Sequence, residues 1–150
     1  MDRLDRQILA LVQTDGRMSV TDIAASVRLS VSSVHRRLRE LEQTGTIERY
    51  RAVISPARVG LTFEAIIFVT LARTDSATVA AFEQGVTAVA NVVEAERLFG
   101  DPDYMLRVHA RDLAAYQELF DSQLSVLPGV RRLTSTMVMK RVSSGNVLPF

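Results

Sequence analysis

Two carboxylates stand close together in the short run Gly100-Asp101-Pro102-Asp103, which precedes the strand-like stretch from Tyr104 to Val108. Paired carboxylates on a tight loop can hold a metal ion, act as an acid/base pair, or accept hydrogen bonds from the ammonium group of a ligand. They also occur in turns for conformational reasons alone, because Asp and Gly favour turn geometry. The loop by itself does not distinguish these four roles, so the rest of the sequence has to narrow them.

Metal binding and catalysis have little support elsewhere in the chain. The only histidines are His35 and His109, neither is spaced to complete a metal shell with the loop, and there is no cysteine. The sequence also contains no Gly-rich phosphate loop and no nucleophile elbow. We therefore predict no metal site, no catalytic residue and no enzymatic activity.

Length and composition indicate an ordinary globular protein. The chain has 150 residues, 47% hydrophobic and 23% charged, with a net charge of +1, which argues against a generally basic nucleic-acid coat protein. The longest apolar run, residues 65–72, is far shorter than the roughly 20 residues of a membrane span. The N-terminus does not resemble a signal peptide, and the lack of cysteine fits a reducing compartment. We expect a cytoplasmic protein with no membrane contact.

Residues 1–55 have the pattern of a helix-turn-helix domain. Apolar residues at helical spacing predict helices over residues 4–14, 19–27 and 31–45, with Ser30 as the cap of the third. Residues 46–55 are rich in β-formers and end at Pro56, which predicts a strand or hairpin arm. The segment holds nine Arg against seven Asp or Glu, a net of +2, so its charge has the sign expected for DNA binding.

The second half predicts an α+β unit. Strands are expected over residues 63–73, 92–99, 104–110 and 130–142, with helices over 78–86 and 112–127. The order β-α-β-β-α-β is that of the ferredoxin-like split βαβ unit. Because the second and third strands are joined directly, the Gly100–Asp103 run should lie at the tip of an antiparallel hairpin.

The third helix is the candidate DNA-reading element. With Val34, Leu38 and Leu41 turned inward, polar residues fall on the opposite side. We predict base-edge contacts from Ser32, Ser33 and Arg36, and phosphate contacts from Arg37 and Arg39. His35 lies on the same helix, and the other candidates to flank the DNA backbone are Arg17, Arg49 and Arg51.

The first strand of the second half is apolar on both faces. Ala65, Ile67, Val69 and Leu71 alternate with Ile66, Phe68 and Thr70, although two helices can cover only one face of such a sheet. We predict that a second copy of the chain covers the other face and forms a dimer. The alternative is coverage by the segment around residues 58–61.

The chain resembles the Lrp/AsnC (feast/famine) family of transcriptional regulators. The resemblance spans nearly its whole length and rests on LDRQIL (4–9), DGR (15–17), LS (29–30), RLRELEQTGTIERYRAVISP (37–56), GDPDYML (100–106), DLAAY (112–116), LPGVRR (127–132) and TSTMVM (134–139). It implies a winged helix-turn-helix domain (1–55), a βαββαβ ligand-sensing (RAM) domain (56–142) and a C-terminal tail (143–150). It also implies binding to double-stranded operator DNA, association with the nucleoid, and homodimers that assemble into tetramers or octamers.

The resemblance further implies an amino-acid effector, with no tightly bound cofactor. Its expected site includes Gly100, Asp101, Asp103 and Tyr104 of the loop, completed by Thr134, Thr136 and Met137 of the last strand with a neighbouring subunit. Apolar contacts are expected from Leu98, Leu113 and Met137. The alternative is an effector-independent DNA-organising protein of the same fold, in which the loop has only a conformational role.

One position departs from the family pattern. Arg28 stands at the helix-turn-helix corner, where relatives often have Gly. If this position has positive φ, Arg costs about 1 kcal/mol relative to Gly. Arg28 is then a further candidate for a phosphate contact.

Overall fold

In the computed structural model, which describes residues 1–143 and 147–150, three helices follow the predicted amphipathic segments. They are α1 (Arg3–Thr14), α2 (Val20–Val27) and α3 (Val31–Gln43). The predicted cap of α3 is confirmed, because the Ser30 hydroxyl accepts the Ser33 N–H at 3.2 Å. Asp2 and Ser19 cap α1 and α2 in the same way. Each helix therefore starts where a side-chain oxygen satisfies an otherwise unpaired N–H group.

The three helices bury one shared core. The predicted inward stripe of α3 is confirmed, since Val34, Leu38 and Leu41 are all buried. They pack with residues of α1 and α2, namely Ile8, Leu9, Ile23, Ala24 and Val27. This packing fixes which side of α3 faces outward.

The corner between α2 and α3 has the positive φ that was considered for Arg28, where relatives often have Gly. Arg28 ends α2 in the left-handed region, at φ 58° and ψ 46°. It is the only non-glycine residue with positive φ among the described residues. Its N–H donates to the Ala24 carbonyl, so the strained backbone still closes the helix.

The predicted strand at residues 46–55 is wrong for the single chain. This segment has no strand structure in the described protein and runs into a 3-10 turn at Pro56–Val59. Val53 and Ile54 are 89% and 62% exposed. A strand needs a partner for its N–H and C=O groups, and β-forming side chains do not supply one.

The second half of the chain forms the predicted βαββαβ order. Its elements are β1 (Phe63–Leu71), α4 (Ser76–Thr87), β2 (Val92–Arg97), β3 (Tyr104–Ala110), α5 (Leu113–Leu119) and β4 (Val130–Met137). A π-helical turn, Phe120–Leu124, extends α5. The strands form an antiparallel sheet in the order β2-β3-β1-β4. The last strand ends at Met137 rather than at the predicted residue 142.

The two faces of this sheet differ in burial. On the helix-covered face, Ala65, Ile67, Val69 and Leu71 are buried against side chains from α4 and α5. On the open face, Ile66, Phe68 and Thr70 are only half-buried. The segment around residues 58–61 therefore does not seal the open face.

Contacts divide the chain into two units. The helical unit comprises Met1–Val53 and Val142–Phe150, and the sheet unit comprises Ile54–Arg141. The end of the chain thus groups with the helices, and the Leu148 N–H donates to the Gln13 side chain at 2.8 Å. Residues 144–146 of the predicted tail lie outside the described residues. Within the described chain, no helix is long and apolar enough to cross a membrane.

Candidate functional site

The outward face of α3 presents a continuous polar surface. Ser32, His35, Arg36 and Arg39 are exposed and line a shallow concavity with Glu40 and Gln43. Among the described residues Arg36 forms one ion pair, with Glu40 at 3.8 Å, and the two side chains are 70% and 68% exposed. Such exposed pairs contribute only about 0.3–0.5 kcal/mol, so Arg36 can leave Glu40 for another partner.

Sequence reasoning missed two residues of this surface. Val31, the first residue of α3, is 44% exposed beside Ser32 and could contact a thymine methyl group. Gln43 extends the concavity by two turns beyond Arg36. The spacing 32, 36, 39, 43 follows the helical period and could have identified Gln43 from the sequence.

Ser33 is less available than predicted. It is half-buried, its N–H donates to the Ser30 hydroxyl, and its own hydroxyl accepts a hydrogen bond from Ser30 at 2.8 Å. The Ser32 hydroxyl lies 3.1 Å from the same Ser30 oxygen but remains exposed. Ser33 therefore belongs to the cap of α3, whereas Ser32 is open to a ligand.

Arg37 has a different position from the one predicted. Its guanidinium lies 2.6 Å from Asp5 and 2.8 Å from Asp2, and its side chain is only 18% exposed. The hydrogen bonds that Arg37 donates to the Asp5 and Asp2 carboxylates raise the pKa of Arg37. Asp5 of α1 and its cap residue Asp2 already engage this group, so Arg37 links the start of α1 to α3. Its contact with a phosphate stays a prediction.

The remaining basic candidates are exposed around the helical unit. Arg17, Arg28, Arg49 and Arg51 form no ion pair with any described residue. The Arg17 backbone N–H donates to Asp15 at 2.8 Å, which closes the turn after α1. These guanidinium groups are free to meet an anionic surface.

The loop between β2 and β3 assigns different roles to its two carboxylates. Asp103 accepts the Leu71 N–H at 2.7 Å, its own N–H donates to the Val69 carbonyl, and its carbonyl accepts from Leu98. Asp101 is exposed, its peptide bond to Pro102 is cis, and Gly100 has φ +146°. Asp103 thus ties the hairpin to β1, and Asp101 is the carboxylate open to solvent.

Tyr104 lies in the core rather than at the loop surface. It is 3% exposed, its ring centroid lies 4.6 Å from that of Phe82, and its hydroxyl donates to Glu83 at 2.8 Å. Burial, with the Glu83 carboxylate, raises the pKa of Tyr104 to about 12. The structure therefore places Tyr104 in the core of the subunit, and its contact with an effector stays a prediction.

The predicted residues of β4 fall on two faces. Thr134 and Thr136 are exposed and pair with Phe68 and Ile66, so they lie on the open face. Met137 pairs with Ala65 on the helix-covered face and is 60% exposed at the sheet edge. Leu113 is 65% exposed at the start of α5, and Leu98 is half-buried. A single subunit therefore does not bring the whole predicted set together.

A group of charges that sequence reasoning did not identify lies on the open face. Arg107 pairs with Glu64 and, at 2.8 Å, with Glu94, while Arg141 reaches Glu64 at 2.9 Å. Burial disfavours the ionised form of Glu64, but hydrogen bonds from Arg141 and Arg107 outweigh it and lower the pKa of this carboxyl. Among the described residues no cluster of His, Asp and Glu could hold a metal ion.

Comparisons with known families agree with the two-unit architecture. Residues 1–48 match a winged helix-turn-helix DNA-binding model, and residues 64–148 match the Lrp/AsnC ligand binding domain.

Individual relatives match over nearly the whole chain. The Bkd operon transcriptional regulator of Pseudomonas aeruginosa is 35% identical, covering 95% of this chain and 93% of the relative. The leucine-responsive regulatory protein of Escherichia coli is 32% identical, with coverages of 99% and 90%. In three dimensions, a Neisseria meningitidis transcriptional regulator in complex with L-Met superposes with a TM-score of 0.93 at 30% identity, covering 99% and 96% of the two chains.

Proposed function

Because this chain belongs to the Lrp/AsnC family of transcriptional regulators, we propose that it binds operator DNA through the outward face of α3. It is a DNA-binding regulator and not an enzyme. The observation that carries the proposal is the division of α3 into two sides. Val34, Leu38 and Leu41 are buried, whereas Ser32, Arg36 and Arg39 are exposed on a capped helix.

The dimensions and chemistry of α3 suit the major groove. A groove about 12 Å wide admits a helix of about 10–12 Å diameter. Ser32 and Arg36 then reach base edges from the first turns, with Arg hydrogen-bonding a guanine in bidentate fashion. Arg39 lies further along α3, and Arg17, Arg28, Arg49 and Arg51 are exposed elsewhere in the helical unit, where they would contact phosphates. His35 borders the same surface.

We propose that an amino acid is the effector and that it binds beside the loop between β2 and β3. The ligand-binding domain match and the L-Met complex of a relative support this class of ligand. The exposed Asp101 carboxylate suits an ammonium group, and the hydroxyls of Thr134 and Thr136 suit a carboxylate. Leu98, Leu113 and Met137 are the apolar contacts, while Gly100, Asp103 and Tyr104 shape the loop.

We propose that a neighbouring copy completes this site and that the working form is a homo-oligomer. The half-buried Ile66 and Phe68 on the open face supply an apolar surface for a second copy. Dimers built in this way would assemble further into tetramers or octamers, in the cytoplasm and on the nucleoid.

Calorimetric titration of the full chain with each of the twenty amino acids tests the effector proposal. We expect one or a few to bind, and we expect Asp101→Asn to weaken that binding at least about tenfold, since a charged hydrogen-bond partner is lost. Glu96→Gln removes an exposed carboxylate from β2 and serves as the matched control. If no amino acid binds, the effector-independent DNA-organising alternative is favoured.

A further inference from the structure

A second cavity lies in the helical unit, apart from the sheet and its loop. It occupies about 270 Å³ beside the turn between α1 and α2 and beneath Tyr50. Its apolar lining consists of Val12, Met18, Val20, Ile23 and Leu38. We call it the Tyr50 cavity. Its volume lies just below the roughly 300–1,000 Å³ of typical small-molecule pockets, so it would admit a molecule the size of an amino acid and no larger cofactor.

The polar residues of the Tyr50 cavity are confined to α3 and the segment after it. Arg39 and Glu42 lie one helical turn apart and both line the cavity, yet they form no ion pair with each other. One oxygen of Glu42 accepts the Tyr50 hydroxyl at 3.1 Å, which holds the tyrosine over the cavity. The second carboxylate oxygen of Glu42 accepts no hydrogen bond from a described side chain. The Arg39 guanidinium likewise donates none to a described side chain.

We infer that the Tyr50 cavity binds a free α-amino acid with an apolar side chain. The unpaired Arg39 is a donor for the ligand carboxylate, and the second oxygen of Glu42 is an acceptor for its ammonium group. The apolar lining takes the side chain out of water. Two opposite charges beside an apolar cavity complement a zwitterion better than a simple acid or amine, each of which would leave one charge unmatched.

Occupation of this cavity would affect DNA binding directly. Arg39 and His35 line both the Tyr50 cavity and the outward concavity of α3. A ligand carboxylate on Arg39 withdraws this residue from a phosphate, so affinity for DNA falls. This consequence rests on the proposed role of α3, whereas the binding site itself does not.

Methyl-detected NMR of the isotope-labelled full chain tests the site, with L-leucine as the probe. We expect L-leucine to shift the methyl signals of Val20, Ile23 and Leu38. Two truncated probes separate the charges: 4-methylpentanoate lacks the amine, and 3-methylbutylamine lacks the carboxylate. Each should bind at least about tenfold more weakly than L-leucine, because one charged partner is left unpaired.

Two variants localise the effect. Glu42→Gln keeps an acceptor for Tyr50 and should weaken L-leucine binding at the cavity at least about tenfold, whereas Glu48→Gln, an exposed carboxylate outside the cavity, should not. The inference is overturned if these methyl signals do not move at saturating L-leucine, or if 4-methylpentanoate binds as tightly. Shifts confined to the sheet unit would support the proposed effector site and contradict this one, so the two claims fail separately.

Discussion

The carboxylate of Asp103, a group suited to ligand binding, forms a hydrogen bond within the fold. Its carboxylate accepts the N–H of Leu71, a residue only 4% exposed. Leu71 lies 32 residues away in sequence, so no local pattern could have predicted the contact. The neighbouring Asp101 has the same chemistry and remains exposed, which makes it the stronger candidate for a ligand.

We predict that Asp103→Ala lowers the free energy of unfolding by about 1–3 kcal/mol, because it leaves the buried Leu71 N–H without an acceptor. Asp103→Asn retains an acceptor oxygen and should cost clearly less. Chemical denaturation of the two variants measures the difference. Equal stability of Asp103→Ala and the wild-type protein would contradict the assigned role.

Neighbouring arginines on α3 illustrate what periodicity can and cannot predict. The helical period correctly placed Arg36 and Arg39 on the exposed side. Arg37 lies at the border of the buried stripe, and its carboxylate partners belong to α1. Helical spacing identifies a face, but it does not reveal a partner from another helix. The exposed face of α3 was therefore predictable, except that Arg37 is engaged by Asp2 and Asp5 and Ser33 belongs to the helix cap.

At the scale of the elements, the corner between α2 and α3 carries stored strain. Arg28 adopts φ 58°, a conformation that Gly reaches at no steric cost. We predict that Arg28→Gly raises the free energy of unfolding of the helical unit by about 1 kcal/mol. Arg28→Ala removes the charge but keeps the strain and is the matched control. Thermal denaturation should show a higher Tm for the Gly variant alone; a gain shared by both variants would indicate a charge effect instead.

The order of strands and helices in the sheet unit was predictable because each element has its own hydrophobic periodicity and its own capping or turn residues at its ends. The segment at residues 46–55, wrongly predicted as a strand, is also rich in β-forming residues but has no strand partner among the described residues. The burial of Tyr104 could be predicted from its place in β3 and not from the adjoining Gly-Asp-Pro-Asp run. Its alternation with Leu106 and Val108 places it with the core.

The ion pairs between β1, β3 and Arg141 make the sheet unit sensitive to acid. The pKa of Glu64 is lowered in the folded protein, so the ionised carboxylate stabilises the fold at any pH above the ordinary pKa of 4.5. This contribution is lost as the pH falls through the lowered pKa. We predict that the stability advantage of the wild-type protein over Glu64→Gln shrinks between pH 7 and pH 3. Denaturation at several pH values measures it, with Glu96→Gln as control. A constant difference would refute the role of Glu64.

At the scale of the whole molecule, the open face of the sheet leaves apolar side chains partly exposed in an isolated chain. Ile66 and Phe68 are half-buried there beside the pairs of Arg107. A second copy would cover the apolar part and leave the charges paired within each subunit. The sequence predicted this surface because β1 is apolar on both faces, although it gave no sign of the charge cluster.

We predict that Phe68→Glu weakens dimerisation more than about 100-fold, since an unpaired charge buried in an interface costs roughly 3–5 kcal/mol. Val126→Glu changes an apolar residue that is 67% exposed in the same unit and should leave assembly intact. Sedimentation velocity over a range of concentrations distinguishes the two. An unchanged dimer in the Phe68 variant would place the interface elsewhere.

Operator binding by the outward face of α3 is the central claim, and one measurement tests it most directly. Genomic fragments captured by the protein would supply an operator, and fluorescence anisotropy would compare it with a scrambled duplex. We expect Arg36→Ala to lose about 1–3 kcal/mol of specific affinity, roughly 5–150-fold. The ratio of its affinity for the operator to its affinity for the scrambled duplex should fall as well. Arg3→Ala removes the same charge from α1 and should retain that preference. Unchanged affinity and preference in Arg36→Ala would contradict the account.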